Sequence, residues 1–183
     1  MNNQNLQKFP ELQTSRLILN RPVQIDLDDL VHHLNSDSAF SENTLNIPFP
    51  YKREHAEFFL NELVDKGFES GNNFTFAIRE KGNPRLIGAI GIHPEKNHHK
   101  AEIGYWLAKE FWNNGYVSEA LNEIIRFAFE ELQLHKIHAS HFPHNPASGR
   151  IMQKCGMNLE AHLKEEFFKK GRFIDVYRYS ILK

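Results

Sequence analysis

The chain has little cysteine and no long apolar segment. Cys155 is the single cysteine among 183 residues, so a disulfide within the chain is excluded. No apolar run approaches the roughly 18 residues that a membrane-spanning helix requires. The opening residues Met1–Asn5 lack the basic and apolar regions of a secretory signal. We therefore expect a cytoplasmic protein with no membrane partner, in which Cys155 serves as a small apolar residue.

An excess of charge of one sign is also missing. The chain has 22 Lys and Arg against 23 Asp and Glu, a formal net charge of −1. Proteins that bind nucleic acid or anionic membranes normally present a cationic face, so this balance argues against both as partners. It leaves room for a local basic site that binds one phosphorylated ligand. With 40% hydrophobic and 25% charged residues, the composition is that of one globular domain.

Two phosphate-binding fingerprints, G-x-x-x-x-G-K-[ST] and G-x-G-x-x-G, are absent from the sequence. Metal-binding patterns are absent as well, despite 11 histidines. His135, His138, His141 and His144 recur at every third position, and on a strand His138 and His141 would point to opposite faces. We therefore predict that the protein holds no metal.

The spacing of apolar residues predicts a mixed α/β order of elements. The predicted strands cover 15–23, 74–79, 86–92, 101–107, 136–142, 159–168 and 173–182. The predicted helices cover 25–35, 52–68, 115–132 and a segment from Asn145-Pro146 to Gly156. We expect one domain over residues 14–183 after a flexible segment 1–13. Its core would be a mainly antiparallel sheet of about seven strands with about four helices.

The junction between the strand ending at Leu107 and the helix starting near Gly115 has the features of an anion site. A helix start presents free backbone N–H groups, and the helix dipole favours negative charge there. Such a loop can hold a pyrophosphate without a basic side chain. A single glycine at a helix start also commonly marks an ordinary turn, so this pattern alone leaves both interpretations open.

Three motifs in this region resemble the GNAT superfamily of N-acetyltransferases, in particular its RimJ/RimL-type branch, which acetylates the N-termini of ribosomal proteins. They are AEIGYWL at 101–107, WNNGYVSEAL at 112–121 and NPASGR at 145–150. The order of elements is similar from Ser15 to the end of the chain. The resemblance implies a GNAT domain whose sheet is splayed between the strands near 101–107 and 136–142.

The same resemblance implies the reaction. An acceptor amine would directly attack the thioester of acetyl-CoA, and the acceptor would be a primary amine such as the N-terminal α-amine of a ribosomal protein. Two alternatives stay open: a small amine such as a polyamine or aminoglycoside, or a non-catalytic acyl-CoA-binding module on this fold. The protein would act as a monomer or a homodimer.

The resemblance also assigns the cofactor contacts. The family signature Q/R-x-x-G-x-G/A binds the acetyl-CoA pyrophosphate through backbone amides, and here it falls on Trp112–Val117. Trp112 replaces Gln or Arg. Val117 replaces the small last residue, and it would either crowd the ligand or be the first core residue of the helix. The predicted cofactor-binding residues are Tyr105, Trp106, Leu107, Asn113, Asn114, Gly115, Tyr116, Val117, Ser118, Asn145, Ser148 and Arg150.

Acetyl transfer to an amine requires a neutral amine, a donor for the oxyanion and a stabilised thiolate. Ser148, in the first turn of a helix, is the predicted catalytic donor to the thiolate, with a capping or surface serine as the alternative. Glu102 is the predicted catalytic acceptor of the amine proton through water, with a solvated strand glutamate as the alternative. His93 and His141 are weaker candidates for this proton.

Three residues are predicted to bind the acceptor. Phe49 and Tyr51 lie in the turn-rich stretch 36–51, and long loops commonly carry specificity. His141 lies at the end of the strand 136–142. These predictions complete the proposed site: Ser148 and Glu102 for chemistry, the 112–118 loop for the cofactor and these three side chains for the acceptor.

Overall fold

The computed structural model describes residues 8–183. Over this range the chain forms one eight-stranded sheet with the order β1-β2-β3-β4-β5-β6-β8-β7. The strands are β1 Leu12–Gln13, β2 Leu17–Asn20, β3 Phe74–Glu80, β4 Gly88–Glu95, β5 Lys100–Leu107, β6 Lys136–His141, β7 Asn158–Lys169 and β8 Arg172–Leu182. Neighbouring strands are antiparallel except β5 and β6. The predicted mixed α/β architecture is confirmed. The eighth strand, which was not predicted, is β1, and its two residues are too few to show an alternation of apolar and polar side chains.

The helices follow the predicted order with one addition. They are α1 Leu27–Asn35, α2 Ala39–Asn43, α3 Arg53–Phe58, α4 Gly67–Glu69, α5 Tyr116–Glu130 and α6 Pro146–Lys154. The π-helical segment Phe59–Lys66 joins α3 to α4, so the helix predicted over 52–68 is present with a changed hydrogen-bond pattern. The short helix α2 lies inside the turn-rich stretch 36–51. Among the described helices, none combines the length and apolar character needed to cross a membrane.

Residues 9–13, before β2, are packed onto the sheet. Residues 1–7 of the predicted flexible segment lie outside the described residues. Phe9 and Leu12 are buried, and the Phe9 ring lies 5.0 Å from the rings of both Phe68 and Phe76. Leu12 pairs with Leu19 in the sheet. The prediction of flexibility is therefore wrong for residues 8–13, because burying an aromatic ring outweighs the polar character of the sequence around it.

The sheet has an apolar core on each face. On one face α5 and α6 cover the larger cluster, in which the Phe76 and Phe127 rings meet edge to face at 5.8 Å. On the other face α1 and α3 cover a smaller cluster that includes Leu30 and Leu60. Cys155 is buried, and its Sγ lies 3.4 Å from the Ser118 carbonyl oxygen where α6 meets α5. This agrees with its prediction as a small apolar residue.

The only parallel pair in the described sheet separates partway along its length. Lys100, Ala101 and Glu102 of β5 pair with Lys136, Ile137 and His138 of β6, and the pairing then stops. Beyond this point β5 remains paired with β4 as far as Leu107, and β6 remains paired with β8 as far as His141. The predicted splay is therefore present. We call the opening beyond Glu102 and His138 the gap.

Candidate active site

The loop after β5 is shaped for an anion. Asn113 has φ 63° and Gly115 has φ 78°, both in the left-handed region. Gly115 is the N-cap of α5 without a side-chain cap, and the first helical hydrogen bond runs from Glu119 N to Gly115 O at 3.0 Å. The amides at the start of α5 therefore precede the helical ladder and are available to a ligand. A left-handed residue followed by a right-handed one forms a concave nest of N–H groups.

Val117 leaves this nest open. Val117 is 8% exposed and belongs to the core beneath α5, beside Ala120 and Leu121. The side chain that departs from the family signature thus packs inward, which favours the interpretation of Val117 as the first core residue of the helix. Ser118 contributes its carbonyl to the Cys155 contact, and its amide lies in the first turn of α5.

Arg16 braces the loop from the start of the chain. Its guanidinium lies 4.6 Å from the centre of the Tyr116 ring, and Nη1 donates to the Asn114 carbonyl at 2.9 Å. Its Nε donates to Glu119 at 2.7 Å. Burial opposes ionisation of Glu119, but hydrogen bonds from Thr14 and Arg16 lower the pKa of its carboxyl. Sequence reasoning missed Arg16, because its partners lie about a hundred residues away and no local pattern connects them.

Trp106 and Trp112 have packing roles. The Trp106 ring packs against the α1 side of the sheet, 5.9 Å from Phe40. Its predicted contact with the cofactor would therefore be made by backbone groups and not by the ring. Trp112 packs 6.3 Å from Phe40 and donates its indole N–H to the Leu107 carbonyl at 2.6 Å. The Leu107 side chain is buried in the larger core, so its predicted contact is likewise one of backbone.

Two hydroxyl groups meet beside the gap. The phenolic oxygen of Tyr105 lies 2.9 Å from Ser148 Oγ, where either hydroxyl can donate, and 3.2 Å from the Ser148 carbonyl oxygen, a second acceptor for the single phenolic proton. Burial raises the pKa of Tyr105, so this phenol stays protonated and can donate. Ser148 lies in the first turn of α6, where the dipole favours negative charge. Asn145 occupies the N-cap position, but its side chain makes no capping hydrogen bond, and Pro146 begins the helix.

Glu102 lies where the gap begins, on the face opposite Tyr105. It is exposed, and its register partners are His93 on β4 and His138 on β6. His138 is buried, and neither of its ring nitrogens has a hydrogen-bond partner within residues 8–183. Burial lowers the pKa of His138, while the Glu102 carboxylate acts to raise it. Sequence reasoning placed Glu102 but missed the flanking His138, because strand register decides which residues become neighbours.

His141 is part of the packing beneath α6. Its ring stacks on Tyr179 at 5.7 Å, and its Nδ1 lies 2.8 Å from the Phe142 carbonyl. A Cβ on Gly149 would lie 2.6 Å from His141 Nε2, so the absence of a side chain at Gly149 lets α6 approach the strand. With 8% exposure His141 has no open surface for an acceptor, which contradicts its predicted role.

The two predicted acceptor residues of the 36–51 stretch differ in position. Tyr51 is 5% exposed, and its backbone is held by Asn35 through hydrogen bonds of 2.8 and 2.6 Å. Its hydroxyl donates to the His55 carbonyl, and burial raises its pKa to about 12. Tyr51 thus anchors the segment from inside, contrary to its predicted acceptor contact. Phe49 is 49% exposed and stays a predicted acceptor contact. Arg150 is exposed on α6 and stays a predicted cofactor contact.

One group of possible metal ligands occurs within the described range, and it involves none of the histidines weighed from the sequence. It consists of His32 and His33 on α1 and Glu110 in the turn after β5. The buried His33 has its Nε2 3.1 Å from the Leu86 carbonyl and its Nδ1 3.5 Å from Glu110. Burial lowers the pKa of His33.

Comparison with known proteins identifies this architecture. Residues 16–158 match the family model described as an acetyltransferase (GNAT) domain. The chain belongs to the GNAT acetyltransferase family. A relative named uncharacterized N-acetyltransferase YoaA, from Bacillus subtilis, is 30% identical over 96% of this chain and 98% of its own. The spermidine N(1)-acetyltransferase of Vibrio cholerae is 32% identical over 84% of this chain and 86% of its own.

Solved GNAT structures share the fold and hold the expected cofactor. RimL, described as a ribosomal L7/L12 alpha-N-protein acetyltransferase in complex with coenzyme A, superposes with a TM-score of 0.85. The match covers 94% of this chain and 98% of that one at 18% identity, so it concerns the fold. Other GNAT neighbours carry acetyl-CoA or CoA, in agreement with the predicted co-substrate. The N-acetyltransferase activity predicted from the motifs is thus that of the family.

Proposed function

We propose that this GNAT N-acetyltransferase transfers the acetyl group of acetyl-CoA to the N-terminal α-amine of a peptide or protein. The observation that carries the proposal is the arrangement around the gap. The hydroxyls of Tyr105 and Ser148 lie on one face of the sheet, and the Glu102 carboxylate lies on the other. A thioester held in the gap has a proton donor on its leaving-group side and a proton acceptor on the side where the amine enters.

The cofactor enters from the α5 side. The N–H groups around Gly115 bind the pyrophosphate, since the nest and the helix dipole both favour an anion. The pantetheine arm then lies along the unpaired edge of β5 beyond Glu102, where backbone groups are free to pair with its amides. The hydrogen bond from Arg16 to the Asn114 carbonyl helps to hold this loop in place, while the Arg16 charge is paired with Glu119.

The reaction proceeds by direct attack. The amine nitrogen forms a bond to the thioester carbon, and the carbon–sulfur bond then breaks. The departing thiolate accepts a hydrogen bond from Ser148 Oγ, which is itself supported by the protonated Tyr105 phenol. The proton lost from the amine passes through water to Glu102. The neighbouring His138, whose pKa burial lowers, is unprotonated at neutral pH and leaves Glu102 free of an adjacent imidazolium.

An α-amine suits this site. Its pKa of about 7.7–8.0 leaves an appreciable neutral fraction at pH 7, whereas a lysine or polyamine amine near 10.4 is almost fully protonated. One carboxylate acting through water is sufficient to deprotonate an α-amine, and it is a weak base for a lysine or polyamine amine. The second candidate acceptor is a polyamine, which the 32% identity to a spermidine acetyltransferase favours.

The test is a measurement of CoA release from acetyl-CoA with N-terminal peptides, the same peptides carrying a blocked N-terminus and a lysine side chain, and spermidine. Mass spectrometry then locates the acetyl group. We expect acetylation at the free N-terminus and little at the lysine. Preferential acetylation of spermidine supports the second candidate, and CoA binding without turnover on any amine supports a non-catalytic module.

A further inference from the structure

The structure also has a pocket with basic walls. It has a volume of about 450 Å³ and lies between α2 and the turn that joins β7 to β8. We call it the basic pocket, and it is lined by Glu42, His144, Lys169, Lys170, Arg172 and Ile174.

The basic pocket is connected to the proposed catalytic hydroxyls. Lys169 Nζ donates to the carbonyl oxygens of Ser41 and Thr44, which ties the β7–β8 hairpin to the end of α2. The same Nζ lies 5.6 Å from the centre of the Phe142 ring, directly after β6. His144 comes directly before the N-cap of α6, the helix that carries Ser148. The pocket therefore borders the loop that leads from the gap to Ser148.

The cations of the basic pocket are held together against their mutual repulsion. Lys169 and Arg172 are direct partners across the antiparallel pair. Lys170 and Gly171 form the two-residue turn between them, with φ 49° and 79°. Like charges directly opposite on a sheet are destabilising, and a two-residue turn gives them little freedom to separate.

Carboxylates of the protein neutralise the cations of the basic pocket only in part. Glu42 is the one carboxylate that the described residues place on the pocket wall, against three cations. Its Oε1 already accepts a hydrogen bond from Ser38 at 3.0 Å. Desolvation, together with the charges of Lys170 and Arg172, lowers the pKa of Lys169, whereas Glu42 raises it. A bound anion would supply the missing charge.

We propose that the basic pocket binds carboxylates of the acceptor, so that the preferred substrate is a peptide N-terminus followed closely by acidic residues. This inference rests on the proposed function. Carboxylates in the pocket would satisfy Lys170 and Arg172 and hold the peptide so that its α-amine reaches the gap. The same cations repel a polyamine, which carries positive charge along its length.

The experiment compares three peptides with the same N-terminal alanine and length, in which the following residues are aspartate, serine or lysine. We expect kcat/KM for the aspartate peptide to exceed that for the lysine peptide about tenfold at low salt, with the difference shrinking as salt is added. In the double variant Lys170→Glu/Arg172→Glu the order should reverse. Lys96→Glu, a single charge reversal in the turn before β5 and outside the basic pocket, is the control and should keep the wild-type order.

The outcomes separate this inference from the proposed function. Equal kcat/KM for the three peptides, or a preference that the double charge reversal leaves unchanged, would overturn the acidic-peptide inference while leaving the acetyltransferase intact. Failure to acetylate any peptide, with acetyl-CoA binding retained in calorimetry, would overturn the proposed acceptor and this inference with it. The double variant changes one exposed turn residue and the exposed first residue of β8, and circular dichroism verifies that loss of preference comes from charge and not unfolding.

Discussion

The phenolic oxygen of Tyr105 lies 2.9 Å from Ser148 Oγ and joins β5 to the first turn of α6. The contact lies beside the gap, so it links the proposed thioester position to the first turn of α6. It also gives the proposed leaving-group donor a partner that holds its orientation, since Tyr105 is anchored within a strand.

If this pair stabilises the thiolate, Ser148→Ala lowers kcat by about 10²-fold while the dissociation constant for acetyl-CoA changes little. Tyr105→Phe lowers kcat less, because Ser148 keeps its place at the helix start. The double variant should be no slower than Ser148→Ala, since the residues act as a unit. Stopped-flow turnover and calorimetry measure the two quantities. Full kcat in Ser148→Ala removes the serine from the mechanism.

Gly115→Ala tests the pyrophosphate nest, and Gly82→Ala is its control. Both glycines have positive φ, 78° and 84°, so alanine imposes similar backbone strain of about 1–2 kcal/mol at each. Only Gly115 belongs to the loop that we expect to contact the cofactor. Calorimetry should show weaker acetyl-CoA binding for Gly115→Ala and wild-type binding for Gly82→Ala. Equal affinities in all three proteins would place the pyrophosphate elsewhere.

Glu102→Gln tests the proposed proton acceptor. We expect kcat with an N-terminal peptide to fall about 100-fold at pH 7 and the remaining rate to climb with pH as the free amine increases. Glu95→Gln is the matched control, because Glu95 is exposed and lies 3.7 Å from His138 without bordering the gap. A pH–rate profile of Glu102→Gln that coincides with the wild-type profile would show that another group takes the proton.

Buried histidines predict a loss of stability in mild acid. Burial lowers the pKa of His33 and His138 below the value of 6.5 that they regain on unfolding. The unfolded chain therefore binds more protons, and the free energy of unfolding decreases as the pH falls from 6.5 toward the folded pKa values. Above pH 6.5 both states are unprotonated, and this contribution is fully present.

Urea unfolding at pH 7.5, 6.5 and 5.5 measures the effect. Carboxyls whose pKa the fold lowers, such as Glu119, lose their contribution only below about pH 4.5, so they do not obscure this window. His33→Gln should flatten the dependence on pH even where it lowers stability overall. A stability that is constant or increases from pH 6.5 to 5.5 contradicts the prediction.

The sequence by itself determined the order of elements and the strand–loop–helix junction at Gly115. Apolar residues repeat along α5 with the period of a helix and the junction at Gly115 combines a strand end with a helix start, so both are local features. The splay followed from motif resemblance, and the structure locates its start at Glu102 and His138.

Only the tertiary structure decided which side chains meet. In the sequence, Tyr51 lies in a turn-rich stretch and His141 at a strand end, so both were predicted to bind the acceptor. Packing buries both side chains. The brace between Arg16 and Glu119 and the meeting of α2 with the β7–β8 turn join segments about a hundred residues apart. Periodicity records which face of an element is apolar. The partner that covers this face, and the charges brought to its edge, depend on how the whole chain packs.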